Sequence, residues 1–215
     1  MSRTRRDFLI ACSVLPQLAG ATARWLHEKP SNWRPDDIEA ILNHSAWVRE
    51  APLEMDPATA GSAKKVKQGQ GLPTDFTVLV RWESGLPVRL ARGKTSLPGE
   101  QLDHYEVSVS RLPLAFLAAI SGRKPGEDLG SAEVAVLLAK STTIERTGKD
   151  PLRAEHAEWI NADFSPRISI SFPRPQKDPI QLADWDVAVV GRIGMSMFRA
   201  RFPLRPMVYR GKLEL

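Results

Sequence analysis

Through the second half of the chain, apolar residues fall on alternate positions in short runs separated by turn formers. These runs are Ile168, Ile170 and Phe172; Trp185, Val187 and Val189; Ser196, Phe198, Ala200 and Phe202; and Val208 to Leu215. Side chains two apart on an extended chain share a face, so each run predicts a short strand with one buried side. The same period runs through Phe76, Val78, Val80 and Trp82 against Thr77, Leu79, Arg81 and Glu83. It recurs in Tyr105, Val107 and Val109 against Glu106, Ser108 and Ser110, a second strand with one solvated face. Val134, Val136 and Leu138, then Thr142 and Ile144, continue the pattern. Gly191 and Gly194 mark a hairpin, and Pro173, Pro175, Pro203 and Pro206 keep strand ends from extending.

A different period appears where Ile38, Ile41 and Leu42 recur at helical spacing. Pro35 suits a first helical turn, and Asp36 and Asp37 complement the positive helix end, so a short amphipathic helix over 35–43 follows, with Trp33 and Trp47 pinning its flanks. Ser84 is placed to cap a second short helix from Leu86 to Arg92, and Leu112 to Ser121 reads as a buried alanine-rich helix ending at Gly122. The fold class is strand-dominated α+β, an antiparallel β-sandwich-like body with two or three short helices. Residues 24–54 read as an N-terminal helix and linker, 55–75 as a mobile loop rich in Gly, Lys and Gln, and 76–215 as the strand-rich body.

Residues 1–23 have the form of a twin-arginine signal peptide. Arg5 and Arg6 precede a short apolar segment from Phe8 to Ala19, and Ala21-Thr22-Ala23 offers the small residues a signal peptidase selects. Pro16, Gln17 and Gly20 interrupt the segment, which argues against a permanent membrane anchor. Leu9-Ile10-Ala11-Cys12 resembles a lipid-attachment box, but too few apolar residues precede it. Cys12 is the chain's single cysteine, so the processed protein lacks the thiols for a disulfide, Cys-ligated zinc, an iron-sulfur cluster or a Cys nucleophile. The export machinery is thus the first implied partner, and the periplasm or the medium the expected location.

Removing residues 1–23 lowers the formal net charge from +5 to +3, with 27 basic against 24 acidic residues. Lys64-Lys65-Val66-Lys67 lies in a Gly/Gln-rich loop and forms no stripe, which argues against nucleic acid as a partner. Gly93-Lys94-Thr95 imitates the end of a phosphate loop, yet Val88 stands where its first glycine must be. Ser62-Ala63-Lys64-Lys65 has S-x-x-K spacing without the companion S-D-N. His27, His44, His104 and His156 show no i, i+4 pair, and Glu155-His156-Ala157-Glu158 reads as a solvated turn, so neither a metal site nor a cofactor is expected. Asp184-Trp185-Asp186 reads as two exposed acids around a core tryptophan.

Six tryptophans in a strand-rich exported chain raise a carbohydrate-stacking surface. Trp82 and Trp185 fall on apolar strand faces and suit the core, whereas Trp25, Trp33 and Trp47 are freer to act as surface anchors. Arg81, Glu83, Ser84 and Arg89 surround a strand end followed by a helix start, and form a candidate polar patch for an anionic group or a partner, set against a structural ion pair fixing the turn. No catalytic residue is assigned.

Several blocks resemble an uncharacterised family of exported, mainly acidobacterial-type bacterial proteins. They are Trp33-x4-Ile38-x2-Ile41-Leu42-x2-Ser45-x-Trp47, Val80-Arg81-Trp82-Glu83-Ser84-Gly85-Leu86-Pro87-Val88-Arg89, Asp178-Pro179-Ile180, and the ending Met207-Val208-Tyr209-Arg210-Gly211-Lys212-Leu213-Glu214-Leu215. The resemblance implies export and one family-specific fold, and carries no activity. The leading expectation is a non-catalytic binding or envelope-associated structural protein whose partner is an extracytoplasmic protein or glycan. Two alternatives are a hydrolase of polysaccharide or envelope material using Asp184, Asp186 and Glu83, and an escort of an exported redox enzyme with an exposed apolar patch.

Overall fold

A computed structural model of the chain describes residues 23–55, 76–93, 102–112, 131–160, 167–193 and 196–215. The signal residues Arg5, Arg6 and Ala21, nearly all of the expected loop, and the expected helix beyond Leu112 lie outside them. Two antiparallel five-stranded sheets form the body. The first has the order β1 (Val48–Pro52), β3 (Thr77–Trp82), β4 (His104–Ser110), β8 (Arg167–Pro173), β7 (His156–Ile160). The second runs β2 (Glu54–Met55), β10 (Ser196–Pro203), β9 (Asp186–Ile193), β5 (Thr142–Arg146), β6 (Lys149–Arg153). The chain crosses from one sheet to the other at Leu53, so the expected linker is part of both sheets.

Register places the apolar alternation inward. Val80 faces Val109 and Trp82 faces Val107 across β3 and β4, and Val107 and Tyr105 oppose Ile170 and Phe172 on β8. The second sheet answers with Phe198, Ala200 and Phe202 beside Val187, Val189 and Ile144. Trp82 joins the layers, its ring edge-on to Tyr105 at 5.8 Å and to Phe202 at 5.7 Å. Such contacts add about 0.5–1.5 kcal/mol each beyond the burial itself. On the far face of the second sheet, Arg199 reaches Glu145 and Arg201 reaches Asp186, bridging over Ala188 and Val190 of β9 and helping to keep both buried.

Helix α1 (Pro35–His44) matches its expected span within a residue; the Asp37 carboxylate accepts the Arg34 backbone N–H at 2.9 Å and also pairs with Arg24. Helix α2 spans Leu86–Ala91. Ser84 does not cap it; Gly85 is the cap residue, and the Ser84 hydroxyl accepts the Glu106 backbone N–H at 3.0 Å instead. The run from Ala132 through Leu138, expected as strand, lies in helix α3 (Ser131–Ser141), which packs against β7, β8 and β9, while Thr142 and Ile144 do fall on strand β5. It buries Val134, Ala135 and Leu138 and exposes Val136 and Leu137. Three valines and leucines at alternate positions fit a strand face, but Val134, Ala135 and Leu138 also lie on one helical stripe, and packing selects that stripe. Glu155-His156-Ala157-Glu158, expected as a turn, runs into edge strand β7, with His156 and Glu158 on its exposed side.

Trp82 is buried as expected, but the other tryptophans differ from their expected places. Trp25 and Trp47 are buried, and Trp33 is partly so. Trp25 stands 6.3 Å from Trp33, 6.1 Å from Trp47 and 6.2 Å from Tyr209, ring centre to ring centre. Tyr209 belongs to β11 (Val208–Tyr209), which pairs with β12 (Lys212–Leu213) through a two-residue turn. Arg210 and Gly211 adopt φ of 49° and 80° there, the positive values a tight hairpin of that length requires. Trp47 completes the seam: its indole N–H donates to the Glu214 carbonyl at 2.6 Å, and its ring lies against Gly85. A Cβ on Gly85 would collide with Cδ1 and Nε1 of Trp47 and stand 3.3 Å from the Glu214 carbonyl oxygen. Gly85 has an ordinary φ of −61°, so the cost of a larger residue is steric alone.

Gly85→Ala is therefore expected to lower stability by about 1–3 kcal/mol through overpacking, read from the midpoint of denaturant unfolding; an unchanged midpoint contradicts the tight Trp47 seat.

Candidate functional site

Two places gather polar chemistry. The first lies on the outer face of the first sheet, where the sequence patch was expected. Arg81 of β3 pairs in register with Ser108 of β4, and Glu83 follows β3 directly. The Glu83 carboxylate, 3 % exposed, accepts Arg81 Nε at 2.9 Å, Arg92 Nε and Nη2 at 2.8 and 3.1 Å, and the Ser108 hydroxyl at 2.6 Å. Arg81 also donates to the Leu42 carbonyl of α1 at 2.6 Å, tying the helix to the sheet. The expected solvated face of β4 is thus closed, with Ser108 and Ser110 buried.

Burial alone would raise the Glu83 pKa, but the charges of Arg81 and Arg92 and the Ser108 hydroxyl outweigh it and hold the carboxyl below its ordinary range. A carboxylate this fully occupied keeps its charge and fixes geometry; proton transfer would require it to lose partners. Of the four patch residues, Arg81 and Glu83 come together, and Ser84 clamps the main chain of Glu106. Arg89 is buried on α2, near enough to Glu214 for its charge to oppose the upward push that burial gives that carboxyl. Arg92 and Ser108 complete the network and were not singled out from sequence. For Ser108 only its place on the polar side of the β4 alternation was legible from sequence, and the pairing opposite Arg81 belongs to the fold; for Arg92, beyond α2, no local pattern pointed to Glu83.

The second place lies at the end of the second sheet. Arg146 of β5 donates to the Asp178 carbonyl at 2.9 Å and carboxylate at 3.0 Å, and to the Asp150 carbonyl at 3.3 Å. Lys149 bridges Asp178 at 2.6 Å and Asp184 at 2.9 Å. Arg146, Lys149, Asp150 and Asp178 line a shallow pocket of about 630 Å³.

Asp184 leads directly to the most exposed aromatic ring of the described residues. Trp185, expected in the core, has 67 % of its surface in water. It precedes β9 instead of sitting on its apolar face, because the chain makes a 3-10 turn over Leu182–Asp184 and then reverses. Trp185 itself adopts φ 62°, ψ −53°, close to the strained γ-turn conformation and costing a bulky residue about 1–3 kcal/mol. Its surroundings hold it there. Asp184 accepts the Gln181 backbone N–H at 2.8 Å, Asp186 pairs with Arg201, and the Trp185 carbonyl accepts the Leu204 N–H at 2.9 Å. The Arg205 guanidinium lies over the indole, 5.3 Å from its centre.

The expected hydrolase acids do not converge. Asp184 is committed to Lys149, Asp186 to Arg201, and Glu83 belongs to the other sheet. Among the described residues no group of three or more His, Cys, Asp or Glu is gathered as a metal site requires, and no helix is long and apolar enough to cross a membrane. Comparison with protein-family models, curated proteins and solved structures finds no match to this chain.

Glu83→Gln leaves two largely buried guanidinium groups without their counter-charge and is expected to cost about 3 kcal/mol. Because the folded carboxyl is held below its unfolded value, its stabilisation is complete above the ordinary carboxylate range. It fades as pH falls through the lowered folded value. Unfolding followed across acid pH should therefore show a shallower decline in the Gln variant than in the native chain; parallel curves contradict this assignment.

Proposed function

We propose that this is an exported, non-catalytic binding protein, acting in the periplasm or outside the cell, with the Trp185 turn as its contact surface. The observation that carries the reading is the exposed indole on a strained but firmly braced backbone. Strain of that kind persists only where neighbouring structure over-determines it, and it concentrates at sites of recognition. An indole held outward there presents a flat apolar face beside a polar edge, the combination that recognition surfaces favour. The polar groups of the Glu83 network, by contrast, are turned toward one another, which supports a role in holding α1 and α2 to the first sheet.

Export rests on Arg5, Arg6 and the Ala21-Thr22-Ala23 site, and the resemblance to exported bacterial proteins points the same way. The escort reading draws on one observation, the exposed Val136 and Leu137 of α3. The partner most in keeping with a single braced ring is an extracytoplasmic glycan.

Lysine at both Arg5 and Arg6 is expected to leave the protein in the cytoplasm, as cell fractionation would show; undiminished export removes the twin-arginine assignment. Trp185→Ala is expected to reduce co-sedimentation of the exported protein with envelope material, with thermal unfolding no lower than in the native chain. Equal sedimentation of the variant contradicts the role given to this surface.

A further inference from the structure

The surroundings of Trp185 narrow the kind of ligand. Lys149 and Arg201 are matched by Asp184 and Asp186, the residues before and after Trp185. Arg205 makes no salt bridge among the described residues, and its guanidinium rests on the indole. The turn therefore offers one flat aromatic surface and one cation whose charge is not already answered by a carboxylate. The apolar area is small, since Leu182 is the one other exposed large hydrophobic residue within the turn. A protein interface is built on a broad buried apolar core, which one indole and one leucine do not supply. A single sugar ring, in contrast, matches an indole in size, and its C–H face meets the electron-rich π surface favourably.

Resting on the reading of this chain as an exported binding protein, we infer that Trp185 and Arg205 form a contact site for an acidic polysaccharide of uronic acid residues. The indole stacks on a pyranose ring and the guanidinium takes its carboxylate. Arg205 is suited to both tasks, because a guanidinium stacks on an aromatic face and still presents N–H donors at its edge. The braces at Asp184, Asp186 and Leu204 fix the ring before the ligand arrives, which lowers the entropy lost on binding.

The test measures binding of the purified protein to oligomers of galacturonate and of mannuronate. Their methyl esters keep the ring and lose the charge, and poly-glutamate keeps the charge and lacks the ring. The expected result is binding of the uronates with a change in tryptophan fluorescence, weakened about tenfold or more in Trp185→Ala. Arg205→Gln is expected to erase the preference for acid over ester. Trp185→Gly is expected to lose binding while its melting temperature stays level or rises, since glycine accepts the positive φ without strain; this separates loss of contact from loss of fold. Equal binding of acid and ester, or binding of poly-glutamate that ignores Trp185, overturns the inference. If none of the saccharides binds while envelope association still depends on Trp185, the inference fails and the binding-protein reading stands. If Trp185 affects neither measurement, both fail.

Discussion

The structure depends on how the Trp47 indole is seated. This ring is buried between the N-terminal turn carrying Trp25, the cap residue of α2 at Gly85, and the last residues of the chain through the Glu214 carbonyl. Three segments far apart in sequence meet on one side chain, and the absence of a Cβ at Gly85 allows the approach. Glu83 and Ser84 immediately precede Gly85, so the seat also determines where the Glu83 carboxylate enters the outer face of the first sheet. The aromatic seam and the ion network are consecutive consequences of one chain reversal.

That arrangement divides the polar groups into two kinds. Arg81, Arg92 and Ser108 converge on Glu83 away from water, where a charge is tolerable only if its partners are complete. Arg199, Arg201 and Lys149 pair at or near the surface, where each exposed pair is worth little to stability but locks local shape. The turn at Trp185 draws on the second kind: its two flanking carboxylates are each committed to a cation, and the ring between them is held outward. A fold that buries Trp25, Trp47 and Trp82 as structural rings presents Trp185 to solvent.

Much of the sandwich was legible because period-two burial is a local signal. Phe76 to Trp82, Tyr105 to Val109, Ile168 to Phe172 and Phe198 to Phe202 all form the expected strands. The first turn of α1 was equally plain from Pro35, Asp36 and Asp37. Several of the differences were decided by contacts distant in sequence, and the one at Trp185 by a tight local turn. Val134, Val136 and Leu138 satisfied a strand pattern, but packing against β7 and β9 made the segment a helix. Extending the alternation of Val187 and Val189 back by two residues put Trp185 in the core, whereas the chain reverses at Asp184. Trp25 and Trp47 read as free surface anchors, but they pack on each other, and Tyr209 and the Glu214 carbonyl from the other end of the chain complete their burial. The polar network was legible in part, since Arg81 and Glu83 form the ion pair weighed from sequence, yet Arg92 and the exposed Trp185 turn depend on tertiary placement.

One tryptophan, Trp185, stands outside the packed body, and we propose that recognition keeps it there. Fluorine NMR of the protein labelled uniformly with fluorotryptophan tests this most directly, with the Trp185 resonance assigned from a Trp185→Phe variant. The Trp185 resonance alone is expected to show the strong solvent response of an open ring, and to shift on addition of the protein's own envelope material while those of Trp25, Trp47 and Trp82 stay fixed. A Trp185 resonance as shielded as the others, or a shift confined to the remaining tryptophans, would contradict it.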